Sequence, residues 1–254
     1  MKNCKNVASL VDSFHSSRFN HVLKSERDYI KTPKEDGYRG YHLVYQYQSL
    51  PDQIAAYDKL RIEIQIRSAM QHAWATAVEA VGAFTQQALK AAQGSEDWLR
   101  LFALMGTAIA MMEKAPLCPG TPSDMDELRK ELQDIANRLN AEHILGAYRS
   151  ALNYFGGLKE KSSKYFLVHY DSAAHKVWVS GFAANASEQA NFAYTKAESS
   201  KKPMDNIVLV SVGSLKSLIR AYPNYFLDTA QFATILSNVL RPPVKAETVK
   251  PASS

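Results

Sequence analysis

From Leu60 to Arg67 apolar and polar residues alternate without a break: Leu60, Ile62, Ile64 and Ile66 fall on one side, Arg61, Glu63, Gln65 and Arg67 on the other. That period of two predicts a strand with one core face and one polar face. Tyr41 to Gln48 and Phe19 to Lys24 read as two further strands, and residues 5–16 place Val7, Leu10, Val11 and Phe14 at helical spacing. Beyond Arg67 the pattern turns helical over 68–93, 95–114 and 124–155, the second helix opening on Ser95 and ending at the breaker run KAPLCPGTP, residues 114–122.

The pattern changes again after Gly156 and Gly157. Tyr165–Tyr170 and Val177–Gly181 read as paired strands, 185–199 as a helix, Ile207–Val212 as a strand, and 214–221 and 228–239 as helices. The expected architecture is α+β: a mixed sheet with flanking helices over 1–157, a small α+β domain over 158–240, and a disordered tail over 241–254, rich in proline and serine. A chain of 254 residues is long enough for both cores.

A net charge of +5 and a pI near 9.0 favour anionic partners such as nucleotides and RNA. Two cysteines, Cys4 and Cys118, have neither the number nor the spacing of a metal site or a disulfide framework, which suits reduced thiols in a cytoplasm. The longest apolar run, 101–112, is too short to cross a bilayer, and no apolar secretion signal opens the chain, so a soluble cytoplasmic protein is expected.

The candidate chemistry lies between Asp28 and Arg67. Lys31, Lys34 and Arg39 bracket Gly37 and Tyr38, so one loop offers three cations to phosphates and a ring to a base. The polar face of the following strand adds Glu63, Gln65 and Arg67. His42 opens the strand between them. His72 and Trp74, at the start of the next helix, read as packing behind the strand, and Glu79 as a surface carboxylate.

DYIKTPKEDGYRGYH followed by RIEIQIRSAMQHAWA closely resembles the synthetase domain of the RelA/SpoT family, enzymes that make the alarmones ppGpp and pppGpp; the likeness runs over about residues 5–115. The resemblance implies a nucleotidyltransferase-like synthetase fold and a pyrophosphokinase that moves the β,γ-diphosphate of ATP to the 3′-hydroxyl of GDP or GTP. It implies that Tyr38 stacks on the acceptor guanine, that Lys34 and Arg39, with Lys31, lie near its phosphates, and that Glu63 binds Mg²⁺ and is catalytic, assisted by Gln65 and Arg67; His42 matches the motif's substrate-binding histidine, with a structural hydrogen-bonding role as the equal alternative. The family's early basic ATP-binding stretch and its Asp-x-x-Gly-x-Arg strand have no counterpart here, so an N-terminally shortened form is expected. No hydrolase region is visible.

Near the other end, Tyr222-Pro223-Asn224-Tyr225 resembles the Y-x-x-Y with which the fused toxin–antitoxin branch of this family, the CapRel type, plugs its own ATP site. That branch implies tRNA as acceptor, Tyr222 and Tyr225 as regulatory residues, and a phage protein as trigger. Two-tyrosine packing at a helix end is the plain alternative, and a catalytically dead guanine-nucleotide binder is a third reading of the chain. Homo-oligomerisation is open; no membrane partner is expected.

Overall fold

The structure, a computed structural model, describes residues 1–17, 20–49, 55–85, 95–146, 163–171, 174, 176–202, 205–211, 213 and 225–241. The chain opens with α1 (Cys4–Ser16), whose first turn is closed by the Asn3 side chain accepting from the Asn6 amide. Three strands follow, β1 (Val22–Asp28), β2 (Tyr41–Gln46) and β3 (Arg61–Ile66), in the order β1-β2-β3. Both pairings are antiparallel, where mixed pairing was expected. Among the described residues the links between these strands hold no crossover helix, only a short 3-10 turn at Ala55–Tyr57.

Register decides which side chains share a face. His42 lies opposite Gln65 and Val44 opposite Glu63, so His42, Glu63 and Gln65 point one way, while Leu43, Tyr45 and Ile66 point the other. Val7 and Val11, one helical turn apart on α1, close over Leu43, Tyr45 and Ile66 in a small core. The apolar face predicted for β3 is buried only at that end: Ile66 is 5% exposed, but Ile62 is 39% and Leu60 53% exposed, because α1 does not reach them. The strand expected at Phe19–Lys24 is displaced to Val22–Asp28, and Phe19 lies outside the described residues.

Ser68 and Gln71 start α2 (Ala69–Thr85) with a reciprocal capping pair: the Ser68 amide donates to Gln71 Oε1 and the Gln71 amide to Ser68 Oγ, each at 3.1 Å. α3 (Glu96–Glu113) is nearly all apolar and buried, and ends where Lys114 turns left-handed at φ 55°. α4 (Met125–Leu139) is capped by Asp124, which accepts from the amides of Asp126 and Glu127. The single helix predicted over 124–155 is interrupted at Asn140, which takes φ 50° and closes α4; residues 141–146 are helical again.

A second antiparallel sheet, in the order β5-β4-β6, is built from β4 (Ser163–Asp171), β5 (Lys176–Ala183) and β6 (Asn206–Ser211), with α5 (Ser187–Ser200) against it and α6 (Tyr225–Leu240) packed on α2. One apolar cluster runs through α2, α3, α4, the Phe166, Val168, Val208 and Val210 face of this sheet, and α6. Phe232 of α6 is fully buried with its ring 5.7 Å from Phe102 of α3. The helix predicted at 214–221, the Gly156–Gly157 boundary and the tail after Arg241 lie outside the described residues. Among the described residues no helix is long and apolar enough to cross a membrane.

Candidate active site

Two glycines set the site's position. Gly37, at φ +92°, lies flat against Gly106 of α3: a Cβ on Gly106 would stand 2.6 Å from the Gly37 carbonyl oxygen, and one on Gly37 2.7 Å from the Phe102 carbonyl oxygen. The loop between β1 and β2 therefore approaches α3 backbone to backbone, a contact that only glycine permits. Asp36 Oδ1 accepts from the Tyr38 amide at 2.8 Å and turns the Tyr38 ring back toward the sheet.

The ring enters a cavity of about 320 Å³ between the polar face of β2–β3 and the start of α2. Tyr38, Lys34, His42, Glu63, Gln65 and Arg67 line its polar part; Trp74, Ala75, Val78, Leu99 and Phe102 line its apolar part. Tyr29 meets both Tyr38 and His42 edge-on, with centroids 5.6 and 5.2 Å away. The Lys34 ammonium sits 4.8 Å from the Tyr29 ring centre and 5.3 Å from that of Tyr38, a cation held by two phenol faces.

A hydrogen-bonded row crosses the cavity. Glu63 Oε1 lies 2.7 Å from His42 Nδ1, His42 Nε2 2.5 Å from the Tyr38 hydroxyl, and Arg67 donates to that hydroxyl at 2.7 Å and to Gln65 Oε1 at 2.5 Å. Burial lowers the His42 pKa below its ordinary value, and the positive charges of Arg67 and Lys34 act in the same direction against the opposing pull of Glu63. Its imidazole is thus held toward the neutral form.

The structure separates residues that the sequence placed together. Arg39 does not reach the cavity. It is 2% exposed and donates to the carbonyls of Gly106 (3.2 Å) and Pro116 (2.5 Å), with the Cys118 sulfur 3.4 Å away. The phosphate role implied for Arg39 is therefore replaced by a structural one: the loop geometry that delivers Tyr38 to the cavity sends the next side chain to the opposite side. Lys31 also lies outside the lining; its side chain is 85% exposed and pairs with Asp28 at 3.7 Å. Tyr222 lies outside the described residues, and Tyr225 is described only as the first residue of α6.

Other lining residues were assigned differently from sequence. Trp74, expected to pack behind the strand, instead lies across the cavity from the strand's polar face, donating to the Phe102 carbonyl at 2.8 Å and forming the cavity floor. Glu79, read as a surface carboxylate, is half-buried and lines the cavity. Tyr29 and Asp36, inside the motif stretch, line it too. His72 faces the other way, 3.1 Å from Asp228 of α6. Among the described residues no three His, Cys, Asp or Glu side chains cluster as a metal cage.

No curated protein matches the chain. A GTP pyrophosphokinase family protein from Streptococcus pneumoniae is 24% identical over 53% of this chain and 61% of its own, with a TM-score of 0.38. The small alarmone synthetase 1 from Bacillus subtilis, solved bound to its product pppGpp, is 25% identical over 52% of this chain and 59% of its own, with a TM-score of 0.36. The chain thus spans about three-fifths of the length of each. Residues 1–88 match the family described as "Region found in RelA / SpoT proteins". That matched segment carries Tyr38, His42, Glu63 and Arg67 together, so the part of the chain that supplies the polar lining of the cavity is similar to the region found in RelA/SpoT proteins.

Proposed function

We propose that the protein is a pyrophosphokinase of the alarmone-synthetase type, transferring the β,γ-diphosphate of ATP to the 3′-hydroxyl of GDP or GTP. The observation that carries this reading is that one cavity holds an aromatic ring for a base, the cations Lys34 and Arg67 for phosphates, and the carboxylate Glu63. In the reaction the 3′-oxygen bonds to the β-phosphorus of ATP, the bond from that phosphorus to the α–β bridging oxygen breaks, and AMP leaves. The 3′-hydroxyl proton passes to Glu63, whose Oε2 is not taken by the His42 bond.

Phosphoryl transfer depends mainly on positioning and on neutralising phosphate charge, and Lys34 and Arg67 supply that charge beside the ring. Asp36 and Glu79 add carboxylate oxygens to the lining. Such acceptors suit the N1–H and 2-amino donors of guanine, which adenine lacks in that arrangement. Magnesium takes oxygen ligands and keeps most of its shell as water and phosphate. The half-exposed Glu63 fits as a single protein ligand, and the ion would supply neutralisation of the donor phosphates.

Incubation with β-labelled ATP and GDP, GTP or tRNA tests the reading. Label in a guanosine 3′-diphosphate, lost in Glu63→Gln, is the expected result. Label on tRNA instead would keep the chemistry and change the acceptor. No transfer to any of the three would end the proposal.

A further inference from the structure

We infer that the Tyr38 hydroxyl, as distinct from the Tyr38 ring, is a positioning group that fixes the proton of His42 on Nδ1 and so orients the Glu63 carboxylate. The inference starts from what each partner can do. A guanidinium has donors and no acceptor. Arg67, 2.7 Å from the Tyr38 oxygen, therefore occupies one of that oxygen's lone pairs. The hydroxyl keeps a single proton, and its other hydrogen-bond partner is His42 Nε2, 2.5 Å away.

With Nε2 accepting, the proton of a neutral imidazole belongs on Nδ1. Nδ1 is 2.7 Å from Glu63 Oε1, and a carboxylate only accepts. Every link then runs the same way, from Arg67 through Tyr38 and His42 to Glu63. The opposite tautomer would set a bare Nδ1 against a carboxylate oxygen and deprive the tyrosine proton of its acceptor.

The backbone leaves room for this junction. A Cβ at Gly40 would stand 3.3 Å from the Tyr38 oxygen and 3.2 Å from Arg67 Cγ, both tight contacts. The ring needs no hydroxyl to stay in place, since the edges of Tyr29 and Trp74 hold it, with centroids 5.6 and 6.2 Å away. Ring and hydroxyl are therefore separable: one serves the base, the other the carboxylate. The kinetic consequence rests on the pyrophosphokinase reading; the tautomer does not.

Tyr38→Phe tests both. The tautomer is read by nitrogen NMR of the imidazoles, with His42 assigned by the signal missing in His42→Gln. The wild type should show an Nδ1–H, Nε2-acceptor ring, and Tyr38→Phe a mixture or the reverse. In turnover, Tyr38→Phe should keep the KM for the guanosine nucleotide within about twofold while kcat falls about tenfold to a hundredfold, the usual cost of losing an orienting partner. An Nε2–H ring in the wild type would overturn the inference. So would a Phe variant whose tautomer and kcat match the wild type, or one in which only KM rises. If the wild type transfers no diphosphate, the functional proposal fails, while the NMR measurement still decides the role of the hydroxyl.

Discussion

Arg39→Met separates two accounts of one residue. The family resemblance implies a phosphate ligand; the structure shows a buried strut between the Tyr38 loop, α3 and the segment after it. Methionine keeps the length and apolar bulk but leaves the carbonyls of Gly106 and Pro116 without their donor. A hydrogen bond to a charged group contributes about 1.5–3 kcal/mol, so losing these two costs about 3 kcal/mol even at the lower end. For a chain of this size each kcal/mol lowers the melting temperature by about 2–4 °C, so the variant should melt about 6–12 °C below the wild type. Thermal unfolding followed by circular dichroism measures the shift, with Lys34→Met as the companion variant. Lys34 sits over two rings in the open cavity, so its loss should weaken nucleotide binding and leave the melting temperature within about 2 °C. An Arg39→Met protein with wild-type stability and weakened nucleotide binding would refute the structural account.

Two further outcomes follow from other parts of the fold. Gly106→Ala places a methyl 2.6 Å from the Gly37 carbonyl oxygen, so the Tyr38 loop must lift from α3; a stability loss of about 1–3 kcal/mol in urea and weaker binding of a fluorescent guanosine nucleotide should appear together, and unchanged binding would show that the glycine contact does not position the ring. Burial, then the hydrogen bond to Glu113, pushes the Cys4 thiol from 9.0 up to about 12. Because the folded-state value is the higher one, this contribution to stability is complete below about pH 9 and is lost as pH rises from there toward 12. Cys4 in the folded protein should react with iodoacetamide near pH 8 at least about tenfold more slowly than in urea, since the thiolate is the nucleophile. Equal rates would refute that assignment.

The sequence was most informative where the physics is local. The alternation over Leu60–Arg67 places Glu63, Gln65 and Arg67 on one face whatever the strand packs against, because successive side chains must point to opposite sides. The same pattern left open how much of the other face is covered, and α1 covers only the Ile66 end. Asn140 shows the limit in a helix: a residue that tolerates a left-handed turn interrupts a run whose composition is helical on both sides.

Chain order alone could not tell Arg39 from Lys34. Both are cations in one short loop, and their fates diverge through contacts with residues far along the chain: Arg39 with Gly106 and Pro116, Lys34 with its neighbours Tyr29 and Tyr38 around a cavity floored by Trp74 and Phe102. Thus the residue types of the site, a ring, cations and a carboxylate on a strand, were determined by the sequence itself. Which of those groups meet, which one is buried as a strut, and which nitrogen of His42 faces Glu63 were decided only by tertiary packing, because such pairings depend on long-range backbone approaches like that of Gly37 to Gly106, which no local period encodes.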